Sequence, residues 1–94
     1  MNQAPLNSKA ILALKQQAHH LNPVVMIGQH GLTETVIKEV DASLNAHELI
    51  KIRVLGDDRD ERSAMADALC QQLGAVLVQH IGKLLVLYRA KPQE

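Results

Sequence analysis

Five histidines in 94 residues are the first candidates for chemistry, because imidazole can ligate a metal or act as a general base near neutral pH. Their spacing builds no site. His19, His20, His30, His47 and His80 fall on different segments, without the His-x-x-x-His or Cys-x-x-Cys spacing that brings two ligands to one zinc ion. They read as polar residues of loops and helix ends, with His47 near a helix C-terminus, where the helix dipole favours a cation. Cys70, the one thiol, falls in a helical segment as a small core residue, and Ser8, Ser43 and Ser63 lie in no nucleophile elbow. The acids crowd solvated helix faces and offer no facing carboxylate pair for acid–base work. Neither catalysis, a metal or other cofactor, nor a small-molecule substrate is expected.

One short motif remains. Gly28-Gln29-His30-Gly31 stands between an apolar run and a segment of helical period. Alone, a Gly-x-x-Gly pair says little, since roughly one chain in two or three of this length holds one by chance at a glycine frequency of ~7%. Its position says more. Two glycines let the backbone turn sharply and approach a ligand, and the first N–H groups of the following helix, capped by Thr33 or Gly31, point outward there. A phosphate can be held in this way without a strong side-chain charge, as in the glycine-bracketed loop of KH domains. An ordinary strand-to-helix turn is the competing reading.

The elements that must position this loop follow from hydrophobic period. Over residues 7–21, Ile11, Leu14, Ala18 and Leu21 recur at helical spacing; Ser8 can cap the start and Asn22-Pro23 stops the helix. Val24-Val25-Met26-Ile27 predicts a short strand buried on both faces. A second helix follows the glycine loop, with Leu32, Val36, Ile37, Val40 and Leu44 on its core face. Ile50, Ile52 and Val54 alternate with Lys51 and Arg53 in a half-exposed strand, and Gly56-Asp57-Asp58 turns into a third helix whose stripe is Met65, Leu69 and Leu73. Gly74 suits its C-terminal cap. Strands over residues 75–80 and 84–89 close the chain around a tight Gly82-Lys83 turn. The order α-β-α-β-α-β-β predicts a two-layer α/β fold with a mixed four-stranded sheet, parallel where helices intervene and antiparallel in the final hairpin. No repeat, low-complexity tract or linker interrupts it, so residues 1–94 are expected to form a single domain with loose ends at the first few residues and at Pro92-Gln93-Glu94.

Composition bounds the rest. Ten basic and ten acidic side chains cancel, and with one Tyr, no Phe and no Trp the chain lacks the usual signs of a nucleic-acid binder. Position qualifies that. Nine acids fall in two stretches, Glu34 to Glu48 and Asp57 to Asp67, whereas residues 1–33 hold Lys9 and Lys15 with no acid, and residues 81–91 hold Lys83, Arg89 and Lys91 with none. If the first helix lies beside the glycine loop, Lys9, Lys15, His19 and His20 extend a track for backbone phosphates. The single cysteine, the lack of a membrane-length apolar run and the N-terminus MNQAPLNSK point to a soluble cytoplasmic protein without a membrane partner.

Several of these features recur together, and in order, in one family. The proline before the first strand, Gly28-x-x-Gly31-Leu32-Thr33, the junction Ala46-His47-Glu48-Leu49-Ile50-Lys51, and the closing Ile81-Gly82-Lys83 with Val86-Leu87-Tyr88-Arg89 resemble the CRM domain in its stand-alone bacterial YhbY-type form, over residues 6–91. The resemblance implies a non-enzymatic RNA-binding domain similar in fold to the C-terminal domain of translation initiation factor 3. It further implies binding to ribosomal RNA in precursors of the large ribosomal subunit and a role in ribosome assembly. It maps the RNA-contacting loop onto Gly28, Gln29, His30 and Gly31 and the basic first helix onto Lys9 and Lys15. Gln29 stands where the family commonly has lysine, and ALKQQAHH is less basic than the usual first helix. With Thr33 at the helix start and His19 on the proposed track, these are the candidate RNA-binding residues of a chain expected to be a monomer. Protonation of His30, His19 and His20 in mildly acidic solution is expected to strengthen binding. With Tyr88 the one ring available for stacking, shape and phosphate contacts should dominate. The alternative is a protein-interaction module that reaches ribosomal particles through assembly proteins, using a strand face where Lys51 and Arg53 mix with Leu49 and Leu55.

Overall fold

A computed structural model describes residues 7–91; the expected loose ends at the first few residues and at Pro92-Gln93-Glu94 lie outside the described residues. In chain order the elements are α1 (Ser8–Ala18), β1 (Pro23–Ile27), α2 (Glu34–His47), β2 (Leu49–Val54), α3 (Arg59–Leu73), β3 (Val76–Ile81) and β4 (Leu84–Tyr88). Asn7, not Ser8, caps α1, its Oδ1 accepting the Ala10 N–H at 2.8 Å. The helix also stops earlier than the stripe predicts. His19, His20 and Leu21 donate to carbonyls three residues back, tightening the last turn so that Leu21 returns to the sheet before extended backbone leads into Pro23. Asp58 caps α3 by accepting the N–H groups of Asp60 and Glu61, and Gly74 ends it at φ +65°.

The sheet order is β1-β2-β4-β3. β1 and β2 are parallel, β2 and β4 antiparallel, and β3 and β4 antiparallel, so β4 inserts between the two strands that α3 connects. Gly82 turns the hairpin at φ +54°. One face of the sheet holds the main core: Val25, Ile27, Ile50, Ile52, Val54, Leu85 and Leu87 pack under Val40 and Leu44 of α2 and Ala66 and Leu69 of α3. The expected α/β class and mixed sheet are present, and α1 adds a partial layer on the other face, where Ala18 packs with Leu49, Val78 and Val86, flanked by Ile11, Leu14, Leu21 and Tyr88.

β1 departs from the expectation of burial on both faces. Val25 and Ile27 are buried, but Val24 and Met26 are 50% and 59% exposed. The strand is an edge, and α1 covers β2 and β3 rather than β1. A second departure lies at the chain's end. Arg89 is no free cation: its guanidinium donates to Asp41 Oδ1 at 2.8 Å, the Asp41 carbonyl at 3.1 Å, Asn45 Oδ1 at 2.8 Å and the Leu73 carbonyl at 3.0 Å. It ties the end of β4 to α2 and α3. The Arg89 N–H also donates to the carbonyl of Glu48, the one non-glycine residue at positive φ among the described residues, and so fixes the strained turn from α2 into β2.

Candidate nucleic-acid interface

The glycine loop sits at the end of β1, where the chain crosses to α2. Gly31 takes φ +70°, a left-handed turn that glycine adopts without cost, and its N–H donates to the Gly28 carbonyl at 3.0 Å. Thr33 N–H in turn donates to the Gly31 carbonyl, and Thr33 Oγ1 accepts the Val36 N–H at 3.2 Å. Thr33, not Gly31, is the cap. Its hydroxyl is therefore committed to the helix, and the N–H groups of Glu34 and Thr35 are the ones left without intrahelical acceptors. A side chain added at Gly28 or Gly31 would meet nothing within 4 Å, so the loop presents bare, open backbone, with Gln29 and His30 exposed at its tip.

Its electrostatic setting is mixed. A depression of about 240 Å³ beside Gly28 and Gln29 is lined by Asp57, Asp58 and Glu61 of the turn into α3. Glu34 stands at the head of α2, paired with Lys38 at 3.8 Å, and Lys83 at the hairpin is held by Asp57 at 3.2 Å.

The α1 candidates gather elsewhere. Lys15 and His19, one turn apart, line a shallow groove against Lys51, Gln79, Ile81 and Leu84, while His20 faces a wider groove of about 670 Å³ with Gln17, Asn22, His47 and, again, Lys51. Lys9 is exposed in the first turn, about 15 Å along the helix from His19. The candidate residues thus form two groups, the loop with Thr33 and the α1 set, and what lies between them on the sheet is Lys51 and Arg53. Sequence reasoning placed those two on a face for protein, with Leu49 and Leu55. In the structure Leu49 is buried under α1 and Leu55 lies beyond the strand. The signal that pointed to Lys51 and Arg53 was their alternation with Ile50, Ile52 and Val54; what it lacked was the identity of the neighbouring strands.

The remaining chemistry-bearing residues are occupied. His80, in β3 rather than a loop, meets Arg62 Nε at 3.4 Å and Ser63 Oγ at 3.5 Å, and Arg62 Nη1 donates to the Gly56 carbonyl at 2.8 Å. Arg62 is the one charged residue buried among the described residues, and nothing in its sequence context marked it. Burial first, and the Asp67 carboxylate second, push the Cys70 thiol above its ordinary value of 9.0, so it stays protonated at neutral pH against the main core. Tyr88 packs beside α1 and is half-buried. Among the described residues no group of three or more His, Cys, Asp or Glu is placed to hold a metal ion, and no helix is long and apolar enough to cross a membrane.

Residues 6–89 match the CRS1 / YhbY (CRM) domain. A Haemophilus influenzae protein named as an RNA-binding protein is 50% identical over 84 residues, 89% of this chain and 85% of its own length. A Pseudomonas aeruginosa protein named as a probable RNA-binding protein is 46% identical over 79 residues, 84% of this chain and 76% of its own. In three dimensions the chain is similar to the solution structure of SAV1595 from Staphylococcus aureus, with a TM-score of 0.83 and 35% identity, covering 95% of this chain and 93% of that one.

Proposed function

The chain belongs to the CRS1 / YhbY (CRM) domain family, and from that premise we propose that it is a non-enzymatic, single-domain RNA-binding protein of the cytoplasm. Its ligand is ribosomal RNA in precursors of the large subunit, whose assembly it assists as a monomer. The observation that carries this reading is the glycine loop: open backbone, no side chain at Gly28 or Gly31, and two outward N–H groups at the head of α2. A phosphodiester docks there through backbone hydrogen bonds, with Gln29 and His30 as flanking donors. Binding is read by shape and charge, since the chain has no Phe or Trp and Tyr88 is half-buried.

Gly28 gives the cleaner test of the two glycines. Gly31 is left-handed, where any other residue adds strain of about 1–2 kcal/mol, but Gly28 is not at positive φ and has space around it. Gly28→Glu should leave the melting temperature within a degree or so and weaken binding to transcribed large-subunit RNA roughly tenfold or more, by placing a carboxylate where a phosphate docks. Wild-type affinity should fall steeply with salt and exceed that for small-subunit RNA. Flat salt dependence, or full binding by Gly28→Glu, defeats the loop mechanism; equal binding to both RNAs defeats the large-subunit assignment.

A further inference from the structure

The register brings together a surface that the loop does not include. Met26, Arg53, Leu84 and Ile81 oppose one another across all four strands, on the face that α1 leaves partly bare. Met26 and Ile81 are 59% and 51% exposed, Arg53 is exposed, and Lys51 lies two residues before it on the same side. The row reaches the glycine loop, because Gly28 follows Met26 by two residues. On its other flank Lys51 faces Lys15 and His19 of α1.

Charge is what distinguishes this face. No strand and no residue of α1 is acidic; all nine acids within the described residues lie in α2, α3 or their caps and the turn before α3. The three ion pairs use Lys38, Lys83 and Arg89, so among the described residues Lys9, Lys15, Lys51 and Arg53 pair with no acid. Resting on the RNA-binding reading above, we propose that the α1 side of the sheet is a second RNA contact, in which Lys51 and Arg53 hold backbone phosphates and continue the track from the glycine loop to Lys15 and His19. A protein partner fits less well. Protein interfaces exclude charge from their centre, whereas here two unpaired cations lie on the inner strand β2 and the exposed large apolar groups, Met26 and Ile81, stand on the two edge strands.

Each phosphate contact makes affinity fall as about the 0.7–0.9 power of salt concentration. In fluorescence anisotropy with a labelled RNA stem-loop bearing single-stranded ends, Lys51→Gln/Arg53→Gln should therefore weaken binding on the order of 30-fold at 0.1 M salt and lower the salt slope by about 1.4–1.8. Arg59→Gln removes one cation from the opposite layer and should alter affinity less than about threefold. Should the β2 variant fail to fold, amine acetylation of the unaltered protein still decides: RNA should slow modification of Lys51 several-fold. Unchanged affinity and slope, equal loss from both variants, an unprotected Lys51, or lost particle association with RNA affinity intact would each overturn the proposal. The last outcome would assign the face to a protein. If Gly28→Glu weakens binding and the β2 variant does not, this second contact fails alone; if the wild type binds no RNA, the functional reading fails with it.

Discussion

Arg89 lies in a stretch of sequence with three cations and no acid, which reads as free positive charge, yet its guanidinium is spent on four acceptors from α2 and α3. Its planar fork meets them at fixed angles, and a lysine ammonium cannot. Arg89→Lys keeps the charge and should still lower stability by about 2–3 kcal/mol in chemical denaturation, the scale of lost hydrogen bonds to a charged, half-buried group. RNA affinity of the folded variant should match the wild type. A fully stable Arg89→Lys would show that charge alone suffices at that position; a loss of RNA affinity without loss of stability would return Arg89 to the binding surface. Residue type did not separate Arg89 from Arg53, because both are cations at or beyond a strand end. The separation comes from which atoms surround them, and for Arg89 those come from residues 16 to 48 positions away in the chain.

At the scale of elements, period and punctuation were enough to place all seven: stripes of three and four for the helices, alternation for β2, and Gly74 and Gly82 at the breaks. The glycine loop was legible for the same reason, since strand, turn and cap are contiguous from Pro23 to Thr33. The insertion of β4 between β2 and β3 was not legible, nor was the face on which α1 packs. A stripe reports that a helix has an apolar side, not which surface covers it, so alternation put Lys51 and Arg53 on one exposed face without showing which strands flank them or how far α1 covers that face. The packing of α1 has a consequence for dynamics. It rests on the small cluster of Ala18, Leu49, Val78 and Val86, with Leu12 turned 56% to solvent, while α2 and α3 share the larger core. α1 should open on its own, its amides exchanging with a free energy about 1–3 kcal/mol below that of β2 and β4 in native-state hydrogen exchange. Protection of α1 equal to that of β4 would show instead that the helix unfolds only with the whole chain. RNA bound across Lys15, His19 and Lys51 should raise the protection of α1 more than that of α3.

For the whole molecule, the formal charge of zero is a sum over two faces that a ligand does not feel together. The shortest dimension is 21 Å, and at physiological ionic strength the Debye length is about 8 Å. A charge on the outer surface of α2 or α3 is thus screened by roughly an order of magnitude before its field reaches the α1 side, and a phosphate there meets Lys9, Lys15, Lys51 and Arg53 nearly alone. At 0.01 M salt the Debye length is about 30 Å, longer than the molecule is thick, and the acids are felt again. Glu39 and Asp67, exposed on the helices of the acidic layer, test this without touching the binding face. Glu39→Gln/Asp67→Asn adds two units of net positive charge. RNA affinity should change less than about twofold at 0.15 M salt and rise several-fold at 0.01 M, when both are measured by anisotropy against one RNA. An equal gain at both salt concentrations would mean that net charge, not its placement, governs binding. The neutrality that speaks against a polyanion partner in the sequence would then be a real handicap. A gain confined to low salt makes it an arithmetic coincidence of two layers facing apart.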